Sequence, residues 1–326
     1  LCKTDNKKYD AEVVVTNHMP SGSFRGYGYM ESTALVSQAI MEACIKLDID
    51  PVTYLVKNAM KKGDRYHNAN AEPHPWQYNK TADWSDLVVK TADAFHWSDR
   101  FKGWGVPTWV SADGKKVRGV GVGAAGHSDT GGKPSNANVT LTGLGAVYLS
   151  TCMSEFGAGT RDVMLKVVAE ELDMPLESIR VSDSDTGMTP PDFGSTGSRS
   201  TYCGGIVAKR ACEDVKKKLY QLAHEKLGLP EDDLEFKGGY VCRLSNPEEK
   251  YSLFPHLMGK VDGVTGCGHF DGVHDSTIFH LQFVEVEVDL EMGTFKIVDH
   301  FGGSDAGVIV NPLPLRNQMQ SFFAGI

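Results

Sequence analysis

The sequence predicts an α+β protein, with mixed and antiparallel sheets carrying flanking helices. Two observations predict it. Long stretches with apolar residues at helical spacing, above all from about Ser200 to Leu227, are interspersed with short valine-rich runs suited to buried strands. Near the end, Phe279, Leu281 and Phe283, then Val284, Val286 and Val288, alternate towards a Met292-Gly293 turn, which is the pattern of a long β-hairpin.

Taken in order, residues 11–16 are rich in valine and read as a buried strand. A glycine-aromatic loop follows at residues 21–29. Leu35, Ala39, Met41 and Ile45 sit at helical spacing in a run from about Glu31 to Leu47. Asp50-Pro51 reads as a helix cap followed by a first-turn proline, opening a helix through about Met60. Residues 63–82 are polar and read as a loop, and a further helix is expected from about Asp83 to Trp97. Composition changes near 101–106, so a domain boundary is expected at 103/104. Beyond it, 117–125, 138–142 and 146–151 read as strands, 160–172 as an amphipathic helix and 179–183 as a strand. The long helix comes next, then a turn-rich stretch over 228–275. The hairpin spans 278–300, and a helix continues towards Ile326.

The chain has 326 residues, 33 basic and 42 acidic, for a net charge of −9. That balance argues against a nucleic-acid partner. No run approaches the ~18 apolar residues of a membrane helix, and the first residues lack the apolar core of a signal peptide. The seven cysteines contain no C-x-x-C pair, which points to free thiols in a reducing, cytoplasmic setting rather than to a disulfide framework. Glycine stands out at 35 residues. It lets a backbone approach a ligand closely.

Four glycine-rich loops carry the chemical interest: Phe24-Arg25-Gly26-Tyr27-Gly28, Glu155 to Thr160, Gly194 to Ser200, and Asp305-Ala306-Gly307 with Asn311-Pro312. In the second and third, glycine precedes a helix start, where unpaired amides and the helix dipole suit an anion. The third adds hydroxyls at Ser195, Thr196, Ser198 and Ser200, and the cation Arg199, a set suited to phosphate. Any one of these loops is most simply a turn with a helix cap, and neither the dinucleotide fingerprint nor the P-loop spacing occurs. Four together point to a large anionic ligand. His127-Ser128-Asp129 has the composition of a triad but no supporting elbow. His67, His74, His96, His269, His274 and His280 lack metal-ligand spacing. Glu285 and Glu287 alternate with valines, so they read as a solvated sheet face.

On these motifs the chain resembles the molybdopterin-binding subunit of the xanthine dehydrogenase/aldehyde oxidase family of molybdenum hydroxylases. Phe24-Arg25-Gly26-Tyr27-Gly28 is similar to that family's F-R-G-[FY]-G. Gly157-Ala158-Gly159 stands where the family has G-Q-G, and residues 194–200 are close to its G-S-x-G-S-R-S. Asp305-x-Gly307, Asn311-Pro312 and Gln318 follow its last motif, and order and spacing agree over nearly the whole chain.

The resemblance implies an internal fragment of a larger subunit. Residues 1–103 would be the C-terminal part of a first molybdopterin-binding domain, and 104–326 a second such domain truncated at its C-terminus. It implies a molybdenum–pterin cofactor, in bacterial members often the molybdopterin cytosine dinucleotide. The metal would take no ligand from a side chain. Expected partners are the remainder of the molybdenum subunit, iron–sulfur and FAD subunits or domains, and a small-molecule substrate, with no nucleic acid and no membrane insertion.

The implied reaction is hydroxylation of an aldehyde or N-heterocycle with water as oxygen source. Carried over, Phe24, Arg25 and Gly26 would approach the metal's ligands. Gly157, Ala158 and Gly159 would lie along the pterin. Ser195, Thr196, Ser198, Arg199 and Ser200 would hold the pterin and its phosphates, and Gln318 would reach it from the last segment. Tyr27, His127, Ser128, Asp129 and Thr130 would shape the substrate pocket. The family's base glutamate lies in a G-x-G-E stretch beyond the last residue, so no catalytic residue is expected here and the isolated chain is expected to be inactive. Ala158 departs from the family's glutamine. It motivates a second reading, a redox-inactive binding or scaffold protein; a third is an unrelated phosphate-binding module.

Overall fold

A computed structural model of the protein describes residues 8, 10–19, 22, 25–26, 28–65, 78–80, 83–128, 132–272 and 277–324. The chain divides into two compact units, one within residues 1–128 and 275–308, the other within 129–274 and 309–326.

The first unit is an antiparallel sheet with helices. α1 spans Tyr29–Leu47, α2 Pro51–Asn58, α3 Trp84–Ala94 and α4 Trp97–Arg100. The strands are β1 (Trp109–Val110), β2 (Lys116–Ser128), β10 (Thr277–Asp289) and β11 (Thr294–Asp305), in the order β1-β2-β10-β11. Asp50 starts α2 as its sequence suggests: its carboxylate accepts from the Val52 amide at 2.9 Å and from the Trp97 indole at 3.0 Å. Val88, Ala92 and Phe95 from the helical side meet Val122, Ala124, Leu281 and Phe283 from the sheet in one core. Trp84 stacks on Phe279 with centroids 4.5 Å apart, within the range favoured by aromatic pairs.

The compact units break elsewhere than at the expected 103/104 boundary, since β2 pairs along its whole length with β10 and shares a core with the helices before it. Three readings differ from the structure here. Residues 11–16 form no strand; Val13 and Val15 are exposed, and no described strand offers them a ladder. The expected helix over 83–97 is two helices, separated by His96 in the left-handed conformation. Glu285 and Glu287 are not solvated. Arg100 and Thr108 bind Glu285, while Arg118 and Lys296 bind Glu287 at 2.8 and 3.0 Å and hold its carboxyl below the usual range.

In the second unit, β3 (Ser135–Thr142), β4 (Val147–Ser150), β5 (Ile179–Val181) and β9 (Gly263–Phe270) form a sheet ordered β5-β4-β3-β9. β5 is parallel to β4 and the other pairs are antiparallel. β6 (Leu234–Lys237), β7 (Tyr240–Arg243) and β8 (Lys250–Ser252) make a small second sheet. α5 (Thr160–Leu172) and α6 (Ser200–Leu227) have the predicted bounds, and α7 spans Pro312–Ala324.

The buried residues of α6, among them Cys203, Val207, Ala211, Val215 and Leu219, recur every three or four positions, as a helix facing a sheet requires. They face β9, where Val264, Gly266 and Gly268 alternate inward. A Cβ on Gly268 would lie 1.9 Å from the Val207 carbonyl oxygen, and one on Gly266 2.1 Å from that of Ala211. Two glycines therefore let α6 lie directly on β9. This places the start of α6, and the loop that precedes it, over the end of the sheet.

Candidate functional site

Two of the four loops meet in the second unit. Residues 155–159 lead into α5 and residues 192–199 into α6. Ser195 joins them by donating to the Ser154 carbonyl at 2.6 Å. Each loop supplies its own anion.

In the first, Glu155 folds back on the helix start. One oxygen accepts from the amides of Gly157 and Gly159 at 2.7 and 3.1 Å, the other from the Arg161 amide at 3.2 Å. Burial pushes the Glu155 carboxyl up, but the amides of Arg161, Gly159, Gly157 and Ala158 together outweigh it and hold the group below its usual range. Gly157 and Gly159 take φ of +99° and +79°, which glycine adopts without the strain a side chain would bring. The amides expected to wait for a ligand are thus engaged by the chain.

In the second, Asp192 and Arg199 form an ion pair at 3.0 Å with both side chains fully buried. The same Asp192 oxygen accepts from the Gly194 amide at 2.6 Å. Arg199 also donates to the carbonyls of Gly194, Lys133 and Pro134 and to the Ser135 hydroxyl. The expectation that Arg199 reaches a phosphate is not what this geometry provides. The guanidinium is enclosed and binds the loop to the start of β3. Ser198, in the left-handed conformation at φ +61°, is exposed, and Ser195, Thr196 and Ser200 are half-buried.

The last motif divides between the units. Asp305 accepts from the Gly307 amide at 3.1 Å in the first. In the second, Asn311 is buried just before α7 and donates to Asp162 of α5 at 2.8 Å. Lys166 donates to the same Asp162 oxygen at 2.8 Å, so the cation and the Asn311 amide both hold that carboxyl below its usual range. This junction sets α7 against the 157–159 loop. A Cβ on Gly159 would lie 3.5 Å from Pro314.

Between loop and helix opens a cleft of about 470 Å³, lined by Gly157, Ala158 and Gly159 on one side and by Leu313, Pro314, Arg316, Asn317 and Gln320 on the other. Its volume is in the range of small-molecule sites. Gly157 has no heavy atom within 4 Å of where a Cβ would stand, so the loop leaves room for a flat ligand. Gln318 is half-buried on α7.

Arg25 and Gly26 lie in the first unit, in the turn before α1, where Gly26 takes φ +94° and accepts from the Tyr29 amide at 2.9 Å. Phe24, Tyr27, Asp129 and Thr130 lie outside the described residues. His127 and Ser128 end β2, and their side chains are also outside the description. Glu155, Asp192 and Arg316 were missed by the sequence reading. The first two had a signal: a carboxylate two residues before a glycine is a common way to close a turn on its own amides.

Two family models, each described as a molybdopterin cofactor-binding domain, match residues 90–325 and 2–59. The chain is 27% identical to the 6-hydroxypseudooxynicotine dehydrogenase complex subunit gamma of Paenarthrobacter nicotinovorans, over 95% of this chain and 40% of that protein. It is 24% identical to a putative xanthine dehydrogenase molybdenum-binding subunit of Escherichia coli, over 95% of this chain and 42% of that one. The chain therefore spans about 40% of the length of these curated relatives. Among solved structures, quinoline 2-oxidoreductase from Pseudomonas putida 86 shares the fold with a TM-score of 0.75 at 19% identity, covering 93% of this chain and 40% of that one. The Cu,Mo-CO dehydrogenase gives a TM-score of 0.73 at 19% identity, covering 90% and 39%. The chain belongs to the molybdopterin cofactor-binding domain family.

Proposed function

We propose that this chain is the cofactor-holding part of a molybdenum hydroxylase that acts on an aldehyde or N-heterocycle. The observation that carries the reading is the cleft floored by Gly157-Ala158-Gly159, with α7 as its wall. It sets the glycine loop, with open space above Gly157, against Asn317, Gln320 and the cation Arg316 of α7, a lining with room for a flat ligand that carries an anionic end. When bound, the molybdenum–pterin group supplies the redox chemistry and activates water as the oxygen source. Gly157, Ala158 and Gly159 would line the pterin, and Gln318 would reach it from α7. Ser195, Thr196, Ser198 and Ser200 would offer hydroxyls from the neighbouring loop, and Phe24, Arg25 and Gly26 would face the metal's ligands. Tyr27 and residues 127–130 would border the substrate. Arg199 serves by keeping its loop in shape.

The same reading assigns residues 1–103 and 104–326 to two successive cofactor-binding domains; the two family matches, at 2–59 and 90–325, support a pair of domains, the second match beginning before residue 104. It also assigns iron–sulfur and FAD subunits as electron-transfer partners and the cytoplasm as location. Among the described residues, no helix is long and apolar enough to cross a membrane.

Ala158 favours one other reading, a family member that has lost redox chemistry and serves as a scaffold. Metal and pterin content decides between them. The full-length subunit carrying this chain, made in a host that produces the cofactor, is expected to hold molybdenum and pterin near one each per chain. Folded protein free of both would favour the scaffold.

A further inference from the structure

With Arg199 enclosed, the site lacks the cation first expected for an anionic ligand. Of the other cations near the two loops, Lys133 lies over the Phe193 ring at 5.5 Å. Arg161 pairs with Asp183 at 3.3 Å and Lys166 with Asp162 at 2.8 Å. The amides that begin α5 are taken by the carboxylate of Glu155. An anion entering there needs a positive charge from elsewhere.

Arg316 has the right position. Leu313, Arg316, Asn317 and Gln320 are spaced i, i+3, i+4 and i+7 along α7, so they form one stripe on a single helix face, and all four line the cleft. Arg316 is the one charged residue among the eight that line it. It is exposed, and among the described residues none engages its side chain. Asn317 and Gln320 flank it with amide donors. Ala158 lines the same cleft from the loop before α5.

We propose that the Arg316–Asn317–Gln320 stripe of α7, facing the Gly157–Gly159 loop, seats the phosphate end of the cofactor, with Arg316 as its charge partner. The proposal rests on the cofactor reading above. A guanidinium suits this role because its fork of donors can meet two phosphate oxygens at once, and its charge does not depend on pH near neutrality. Either a terminal phosphate or the pyrophosphate of a dinucleotide form would satisfy it.

The test uses the full chain from a host that makes the cofactor. Wild type, Arg316→Gln and Arg316→Lys are compared in two measurements: the pterin and cytidine nucleotide released per chain, and calorimetric titration of cofactor-free protein with inorganic pyrophosphate at low and high salt. The expected result is pyrophosphate binding that weakens with salt and falls more than about tenfold in Arg316→Gln, with partial recovery in Arg316→Lys. Pterin content should fall in parallel. Released cytidine nucleotide would identify the pyrophosphate of a dinucleotide as the group seated, and its absence beside pterin would identify the terminal phosphate. Equal pyrophosphate affinity in wild type and Arg316→Gln would overturn the proposal, as would cofactor-free wild type that binds no pyrophosphate although the same chain carries pterin when made in the host. Neither of those results touches the cofactor reading. Arg316-dependent pyrophosphate binding by a wild type that never carries pterin or molybdenum would instead leave the anion seat standing and remove the cofactor.

Discussion

The loops before α5 and α6 look alike in sequence, glycine-rich and poised at a helix start, yet they are held together by different physics. Before α5, Glu155 is exposed and gathers backbone amides, a reversible arrangement at the protein's surface. Before α6, Asp192 and Arg199 are sealed from water and tie the loop to carbonyls at the start of β3. The first borders an open cleft, whereas the second has its charge enclosed. A glycine-rich loop with an arginine thus need not offer that arginine to a ligand. Burial decides whether the charge recognises a partner or stiffens the loop.

The strongest way to break this contrast is to remove one member of the buried pair. Asp192→Ala leaves the Arg199 charge in the interior with only carbonyl and hydroxyl partners, and the expected cost is about 3 kcal/mol, at the low end of such losses. Chemical denaturation measures it. The double replacement Asp192→Leu with Arg199→Met should cost less than Asp192→Ala alone, because it leaves no unpaired charge. A single substitution costing under about 1 kcal/mol, within the range of exposed pairs, would show that the second loop is no more tightly held than the first.

Much of this architecture was legible. α5 and α6 follow from apolar spacing alone, and the Asp50-Pro51 start of α2 follows from capping chemistry. β9 was not legible, because its inward positions include Gly266 and Gly268, chosen for the approach of α6 rather than for strand propensity. The pairing of Glu285 and Glu287 was hidden for a related reason: Arg100, Arg118 and Thr108 reach them from distant parts of the chain. The loops themselves were found from glycine and hydroxyl content. The chemistry inside them depends on which carboxylate folds back and which arginine is buried, and those are tertiary facts.

A smaller effect is expected at Glu155. Its substitution by Gln keeps the shape but weakens the bonds to the amides at the start of α5, and should cost about 1 kcal/mol, as loss of a helix cap does. The pH dependence sharpens the contrast. Because the folded carboxyl is held below its unfolded value, its stabilisation is complete above the unfolded value and disappears as pH falls through the folded one. The gap between wild type and Glu155→Gln, read from denaturation curves, should therefore be present at neutral pH and close in acid. A gap that widened in acid would mean that the carboxylate is not the anion the amides hold.

The least effect on stability belongs to Ala158. It is half-buried, lines the cleft and makes no side-chain hydrogen bond, so Ala158→Gln places its new atoms in open space and should change stability by less than about 0.5 kcal/mol. Its effect on binding should be larger than its effect on folding. The added amide gives the cleft a donor and an acceptor where it now has a methyl group. If the loop before α5 is a ligand surface, pterin retention will respond to this substitution while the thermal midpoint stays fixed. A marked fall in the midpoint would place Ala158 in a packed contact and make the two loops alike after all.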